Sequence, residues 1–343
     1  MLFRSILVPD GQLHFVPFAA LVDRDGRFWG ESKRLSYMSS CRDILRKASP
    51  LGQGGSAVLL GNPDYQNKAP LQAVPQRGGA TEEERHRKDA ATELKRRMGR
   101  DFRDVTFGPL EGTEKEVAGL KQRFDAKGWQ VRTLLDADAS EPALQRLTHP
   151  AFLHLATHGF FLDEFGATKT DKAARGVGIG SVLSGGTPAA RDPMMRSGLA
   201  LSGAQTTVTL WQKGEVPPLE QDGILAAAEA AGLDLGGTFL VTLSACDTGL
   251  GEARSGEGVM GMKRGLALAG AENLLMTLWP ISDLDTVALM AAFYDRVLSG
   301  EHPARALHSA QMEAMVRLRR ERGLYRAITL AAPFVLVGGT ALP

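Results

Sequence analysis

The chain has 343 residues, of which 43% are hydrophobic and 23% are charged, a composition typical of globular proteins with one large core or two modest ones. Its 40 basic and 39 acidic residues leave a net charge of +1, so no overall field exists to attract nucleic acid or an anionic membrane. Two cysteines in a chain of this length exclude a disulfide framework and a Cys-rich zinc site.

The first residues, MLFRSILVPD, lack the long apolar segment and small-residue cleavage site of a secretory signal. No later apolar run reaches membrane-spanning length. We therefore expect a cytoplasmic protein without nucleic-acid or membrane partners, in which both cysteines stay reduced.

The chain opens with SILVPDGQLHFVPFAALV, two short apolar runs around Asp10 and Gly11. Such a pattern predicts a β-hairpin, with Pro17 at the edge of its second strand. We expect residues 1–50 to form an N-terminal hairpin and helix, and residues 51–343 to form the core of the same unit.

Short apolar runs bounded by turn residues then alternate with segments of helical period. The runs predict buried strands at Ala57–Leu60, Gln130–Thr133, Phe152–Ala156, Thr238–Leu243, Asn273–Leu278 and Pro333–Val337. The helical segments are Thr113–Ala126, Ser140–Leu147, Gly223–Ala231, Gly256–Ala269, Ser282–Ser299 and Pro303–Arg320. This alternation predicts a three-layer α/β fold with a mostly parallel central sheet and helices on both faces.

Two of the predicted helices have cap residues at their starts. Thr113 followed by Glu116 predicts a capping box, as does Ser282 followed by Asp285.

Residues 65–107, rich in charge and poor in large apolar side chains, predict a solvated insertion. Residues 162–197 contain ARGVGIGSVLSGGTPAARDP and predict an irregular insertion in the position of an active-site loop.

Two motifs carry candidate chemistry. In FLHLATHGFF, an apolar strand ends and the chain turns through Thr157, His158 and Gly159. In TFLVTLSACDTGLG, a second apolar strand ends in small residues and delivers Cys246. Ligands of open parallel sheets bind beyond the carboxyl ends of the strands, so both side chains are expected to meet in one cleft.

A thiol attacks an acyl carbon as thiolate, and an imidazole that accepts its proton provides that form at neutral pH. We therefore predict Cys246 as nucleophile and His158 as base. The backbone N–H groups of Gly159 and Cys246 would stabilise the oxyanion. His154 is interpreted as structural, because strand alternation turns it with Phe152 into one helix layer, and the alternative is that it supports the residues of the site.

Other residues near the predicted cleft have two possible interpretations each. Asp247 and Asp283 could bind a basic substrate side chain or orient a helix, and capping is favoured for Asp283. Trp279 either forms a wall of the cleft or packs in the core. Neither the glycine-rich stretches nor the histidine spacings fit a nucleotide or metal site, so no cofactor and no metal are predicted.

The motifs around His158 and Cys246 resemble those of a known family. HLATHGFF and LSACDTGLG, followed by GVMGMKRGLALAGAENLLMTLWPISD, resemble the CHAT peptidase family, relatives of caspases and separase often joined to tetratricopeptide repeats. PDGQLHFVPFAAL resembles its early hairpin and PFVLVG its last strand. The resemblance implies a caspase-like fold and peptide-bond hydrolysis through a dyad of His158 and Cys246.

The motif departs from caspases, where Gln-Ala-Cys is followed by one variable residue and Gly, because here Asp247 and Thr248 stand between Cys246 and Gly249. Cleavage after Asp is therefore not assumed. By analogy with the family, the setting is regulated proteolysis or bacterial defence, with a protein substrate and a regulatory partner that has helical repeats. Two alternatives remain open: a catalytically silent protein-interaction module of the same fold, and an acyltransferase or other acyl hydrolase that uses the same dyad.

Overall fold

The computed structural model describes residues 3–9, 13, 16–38, 51, 55–68, 102, 105–161, 193–215, 221–244, 246–247, 257–279 and 283–338. Eight of the described strands form a central sheet. In order across the sheet they are β1 (Phe3–Leu7), β2 (Lys33–Tyr37), β12 (Phe334–Gly338), β11 (Asn273–Thr277), β9 (Leu240–Leu243), β5 (Phe152–Ala156), β3 (Ser56–Pro63) and β4 (Gln130–Asp136).

Neighbouring strands of this sheet are parallel except β11 and β12. The six predicted strands are all present in it, and β5 has the predicted bounds. Parallel strands buried on both faces consist of continuous apolar residues, which is why FLHLA and LVTL could be recognised. The predicted mixed α/β fold with a mostly parallel sheet is confirmed.

The described helices cover both faces of the sheet. They are α1 (Trp29–Ser32), α2 (Glu111–Ala126), α3 (Glu141–Gln145), α4 (Pro193–Arg196), α5 (Ala204–Gln212), α6 (Ala227–Ala230), α7 (Glu257–Leu268), α8 (Asp283–Val297) and α9 (Pro303–Ala331). α2, α8 and α9 pack on one face, and α3, α6 and α7 on the other. The first hydrophobic core lies between the sheet and α2, α8 and α9, and the second lies between the sheet and α3, α6 and α7. Along β5, Phe152 belongs to the first core, whereas Leu153 and Leu155 belong to the second.

The N-terminal hairpin was a wrong prediction. β1 pairs in parallel with β2, and Phe18–Ala20, in the expected second strand, is a 3-10 turn. Pro17 has no N–H to donate to a strand partner, and burial of Ala19 and Ala20 against the core favours a compact turn. Cys41 lies outside the described residues.

Four short strands form a second sheet beyond the carboxyl ends of β5 and β9. Its order is β10 (Cys246–Asp247), β6 (His158–Phe161), β7 (Ser197–Ala200) and β8 (Ile224–Ala226). The sequence predicted a turn at Thr157–Gly159 and a helix over Gly223–Ala231. Instead Thr157 forms a bend before β6, and only Ala227–Ala230 of the second segment is helical. Pairing with β7 extends Ile224–Ala226, although alanine favours helix.

The capping box predicted for the first long helix is also wrong. α2 begins at Glu111 with Leu110 as its N-cap residue. Thr113 lies within the first turn, where its hydroxyl accepts from the backbone N–H of Asn62 at 2.9 Å. Glu116 is buried and turns toward the sheet. The Ser282 box lies outside the described residues.

The two predicted insertions are described only in part. Near the ends of the first, Tyr65, Phe102, Val105 and Phe107 are buried, which corrects the expectation that residues 65–107 have little apolar surface to bury. Of the second, only residues 193–197 are described. Within the described residues, no helix combines the length and apolar character needed to cross a bilayer.

Candidate active site

The two motif residues meet through backbone pairing. β5 and β9 are neighbours in the central sheet, with Leu155 in register with Leu243. Both chains then leave that sheet and pair again as β6 and β10. In this parallel ladder Cys246 lies opposite His158, and Asp247 lies opposite Gly159. Neighbouring strands lie about 4.8 Å apart, so the two backbones are adjacent.

The His158 ring is buried and hydrogen-bonded to the backbone. Its Nε2 atom lies 2.7 Å from the carbonyl oxygen of Gly108, and 6% of the residue is exposed. A carbonyl only accepts, so Nε2 carries the proton in this contact. In the neutral tautomer selected in this way, the lone pair is on Nδ1.

Aromatic side chains surround this imidazole. The ring centroids of Tyr65 and Phe107 lie 5.0 and 5.7 Å from that of His158. Behind them, a third hydrophobic core adds Phe102, Phe160 and Trp211. This cluster holds the ring in place and keeps water from that side, which strengthens hydrogen bonds to it.

Sequence reasoning missed Tyr65 and Phe107, although an available signal marked them. They are large aromatic residues at the two limits of an otherwise polar segment, and aromatic residues of that size are rarely left exposed without a role. They flank His158 because β3 ends beside β5 and the chain returns there before α2. Gly108, which supplies the carbonyl, belongs to the same return.

The Tyr65 hydroxyl stabilises the bend that precedes His158. It lies 2.9 Å from Thr157 Oγ1, whose own proton is donated to the Ala200 carbonyl, so Tyr65 is the donor. Burial raises the pKa of Tyr65 to about 12, against the opposing effect of its hydrogen bonds with the Thr157 side chain and the His158 backbone. The phenol therefore remains a donor at neutral pH and connects β3, β5 and β7.

A cleft of about 280 Å³ opens beyond the ends of β3 and β4. Its lining includes Tyr65 and Phe107, the same rings that contact His158, and two exposed carboxyl groups, Asp64 and Asp136. The cleft therefore shares a wall with the histidine and has acidic groups on its rim. Clefts of this size accommodate a side chain of a bound ligand.

The other predicted site residues lie around this edge. Gly159 and Asp247 pair in the short ladder, and Asp283 is the first residue of α8. The Trp279 indole N–H donates to the Thr329 carbonyl at 3.0 Å and packs against the first core, consistent with the packing alternative. Substrate contacts by Asp247, Trp279 and Asp283, and the oxyanion role of Gly159 and Cys246, stay predictions.

His154 occupies the centre of the sheet, on the face predicted from strand alternation. It is fully buried; its Nε2 lies 3.2 Å from Glu116 Oε1 and its Nδ1 lies 3.1 Å from the Tyr294 hydroxyl. These contacts explain the burial of Glu116. Among the described residues, no cluster of three or more histidine, cysteine or acidic residues has the arrangement of a metal site.

Two comparisons with known proteins agree with this description. A family model described as CHAT domain matches residues 4–338. The mouse (Mus musculus) protein named Tetratricopeptide repeat protein 28 is 24% identical over 318 residues, which is 90% of this chain and 11% of the mouse protein. The chain thus spans about a tenth of the length of that relative.

Proposed function

Because the chain belongs to the CHAT domain family, whose model matches nearly its whole length, we propose that it is a cysteine endopeptidase. Cys246 is the nucleophile and His158 the base. The observation that carries this proposal is the parallel pairing of β10 with β6, in which Cys246 lies opposite His158. Residues 88 positions apart in the sequence are thereby brought onto adjacent strands.

The contacts of His158 support its role as base. The Gly108 carbonyl holds the Nε2 proton, so the lone pair of the neutral ring is on Nδ1. In the proposed reaction this lone pair takes the proton of the Cys246 thiol. A backbone carbonyl fixes the tautomer without a charge, and the aromatic rings of Tyr65 and Phe107 fix the plane of the ring.

The reaction then follows the general scheme of acyl transfer to a thiolate. The sulfur of Cys246 bonds to the carbonyl carbon of the scissile peptide, and the backbone N–H groups of Gly159 and Cys246 stabilise the oxyanion. Collapse of this intermediate breaks the C–N bond, and the His158 imidazolium protonates the departing amine. Water, deprotonated by the same imidazole, hydrolyses the thioester and regenerates the thiol.

An unbiased peptide library tests this proposal. We expect the wild-type protein to cleave a subset of peptides, and Cys246→Ala and His158→Ala to lose at least a thousandfold in rate, because members of a catalytic unit act together. Cys41→Ala, the matched change at the other cysteine, should retain full activity. Cleavage by Cys246→Ala at the wild-type rate would contradict the proposal.

The mouse relative favours a second candidate function. Its name refers to tetratricopeptide repeats, and the part that matches this chain is 11% of its length. We therefore propose that the domain works together with a helical-repeat segment, as substrate recruiter or regulator. A catalytically silent interaction module of the same fold would also use such a partner.

Thiol reactivity separates these two functions. A peptidase requires a reduced, reactive thiol, which also favours the cytoplasm as its compartment. We expect a peptide electrophile to label Cys246 at neutral pH in the wild-type protein and not in His158→Ala. If Cys246 reacted only as fast as a free cysteine with a pKa of about 8.5, the interaction module would be favoured.

A further inference from the structure

Five polar side chains form a continuous buried chain under the central sheet, on the face covered by α2 and α8. They are Ser244, Glu116, His154, Tyr294 and Thr242. We propose that this polar chain positions the segment that carries Cys246, with Glu116 as its key positioning residue. The inference rests on the proposed function and adds a positioning device to that site.

Glu116 joins two strands through its two carboxylate oxygens. Oε2 accepts from the Ser244 hydroxyl at 3.1 Å, and Oε1 lies 3.2 Å from His154 Nε2. Within the described part of the chain, neither of these two facing atoms forms a hydrogen bond, so their closest polar contact is this ion-pair distance. The carboxylate is 4% exposed, so both contacts are made away from water, where they are strongest.

The chain continues to the next strand through α8. His154 Nδ1 lies 3.1 Å from the Tyr294 hydroxyl, which lies 2.7 Å from Thr242 Oγ1. One set of proton positions fits these contacts: Thr242 donates to Tyr294, Tyr294 donates to His154 Nδ1, and the Nε2 proton of His154 then faces Glu116 Oε1. The Ser244 hydroxyl donates to the second oxygen of Glu116. The link between His154 and Glu116 is an ion-pair distance and lacks hydrogen-bond geometry.

This polar chain fixes the end of β9, the strand that leads to Cys246. His154 and Thr242 are register partners on β5 and β9, and Ser244 follows on the same strand face as Thr242. The Ser244 backbone N–H also donates to the Leu155 carbonyl at 2.9 Å. Ser244 is therefore held by its backbone and its side chain, two residues before Cys246.

α2 connects both halves of the candidate dyad. Its first turn is bound to β3 through the contact between Thr113 and Asn62. Gly108, whose carbonyl accepts from His158, lies three residues before the helix, and Glu116 lies one turn inside it. One rigid helix thus orients the imidazole from its N-terminal side and the Cys246 strand from its buried face.

A purely structural role would require less specific chemistry. A buried ion pair is often replaced by apolar residues of similar size with little loss of stability. The carboxylate bonds to Ser244, a half-buried residue at the edge of the sheet, and therefore acts where the chain leaves the core. Positioning predicts that Cys246 responds to loss of this contact even when the fold is unaffected.

The rate of Cys246 alkylation by iodoacetamide, measured from pH 5 to 10, provides the test. All proteins in the test carry Cys41→Ala, so that Cys246 is the cysteine whose alkylation is measured. The variants are Ser244→Ala and Glu116→Gln, with His158→Ala as reference. Ser202→Ala is the matched control, because it removes a buried hydroxyl that accepts one side-chain hydrogen bond, from Asn67 at 3.0 Å, away from the polar chain.

We expect Ser244→Ala and Glu116→Gln to move the pH midpoint of alkylation upward and to slow the reaction at pH 6.5 by about threefold to tenfold, since one pH unit changes the thiolate fraction about tenfold. Ser202→Ala should keep the wild-type profile. All melting temperatures are measured alongside, and a Glu116→Met, His154→Leu double variant provides an apolar replacement. It should melt near the wild-type temperature but show the Ser244→Ala profile.

Two results would overturn the inference. If His158→Ala raises the midpoint while Ser244→Ala, Glu116→Gln and the apolar double variant all match Ser202→Ala, the polar chain does not position Cys246 and the proposed peptidase stands. If the wild-type midpoint is that of a free thiol and His158→Ala leaves it unchanged, the dyad itself fails and this inference fails with it.

Discussion

His154 and His158 lie four residues apart in one stretch of chain, HLATH, yet they belong to two differently built regions. In the sheet centre, around His154, side chains from α2 and α8 engage both ring nitrogens. At the sheet edge, around His158, Nε2 of the ring bonds to a backbone carbonyl, and the rings of Tyr65 and Phe107 pack against it.

The comparison shows that burial alone does not separate a structural histidine from a chemical one, because both rings are less than a tenth exposed. The difference lies in the partners. A buried carboxylate stabilises the histidine that faces it, and its own charge must be compensated by that partner. Removing one partner of the pair is therefore costly. A carbonyl fixes the tautomer and permits proton transfer at the other nitrogen. We therefore expect loss of His154 to cost more stability than loss of His158.

The largest expected effect comes from the two histidines themselves. His154→Ala should lower the free energy of unfolding by about 3–5 kcal/mol, because the Glu116 carboxylate loses its buried partner. His158→Ala should cost about 1–2 kcal/mol for the bond to the Gly108 carbonyl and the ring contacts. Urea unfolding at pH 7 measures both values. Equal losses would contradict the distinction between centre and edge.

Alkaline pH should weaken both regions through their tyrosines. Burial raises the pKa of Tyr65 to about 12. Burial also raises that of Tyr294, further supported by the negative charge of Glu116 and opposed by the bond to Thr242. A folded-state pKa above the unfolded value of about 10 gives stability that is fully present below pH 10 and is lost as pH rises through the folded pKa.

For Tyr65 the loss between pH 10 and 12 should reach about 2–3 kcal/mol, from a shift of about two pKa units. Urea unfolding at pH 8, 10, 11 and 12, together with tyrosinate absorbance, measures it. In Tyr65→Phe, the free energy of unfolding should fall less steeply with pH, because the contribution of Tyr65 is absent. Tyr37, whose pKa burial also raises to about 12, provides a matched variant away from both regions. An unchanged slope in Tyr65→Phe would contradict the assignment.

Gly61→Ala should affect centre and edge together. A Cβ at Gly61 would lie 2.7 Å from Val117 Cγ2 and 3.0 Å from the Thr113 carbonyl oxygen, both on α2. The helix must therefore shift away from β3, at a cost of about 2 kcal/mol. Since α2 carries Glu116 and follows Gly108, we expect slower Cys246 alkylation as well as lower stability.

Gly119→Ala is the control for that change. It lies on the same helix, where a Cβ would meet only Arg123 Nη1 at 3.7 Å. We expect it to leave alkylation unchanged and to stabilise the fold by about 0.5–1 kcal/mol, as removal of a helical glycine does. A loss of reactivity in Gly61→Ala without a loss of stability would mean that α2 serves the edge alone.

The sequence predicted the sheet centre better than the edge, for physical reasons. Strands such as FLHLA are apolar at every position but His154 over a full strand length, and alternation correctly assigned the face of His154. The second sheet consists of strands of two to four residues such as SGLA and ILA, too short and too small in side chain to show a period. Their pairing is set by tertiary contacts.

The candidate site was predictable at its two motif residues but not in its surroundings. A strand end followed by Thr-His-Gly or Ala-Cys-Asp has a local signal. Tyr65 and Gly108 contact His158 only because β3 and the segment before α2 converge there. The spacing of Thr113 and Glu116 matched a capping box, whereas burial directs both side chains to the sheet. Local pattern could not separate these outcomes.

The smallest expected effect concerns the hydroxyl of Tyr65. Tyr65→Phe keeps the ring, whose centroid is 5.0 Å from that of His158, and removes the hydroxyl that bonds to Thr157 and to the His158 backbone. Thr157 retains its bond to the Ala200 carbonyl, so we expect a loss of about 1 kcal/mol and Cys246 alkylation within about twofold of wild type at pH 7. Tyr65→Ala, which also removes the ring, should lower stability further and slow alkylation clearly. If Tyr65→Phe slowed it as much as Tyr65→Ala, the edge would depend on a hydrogen-bonded bend rather than on aromatic packing, and it would resemble the centre in its construction.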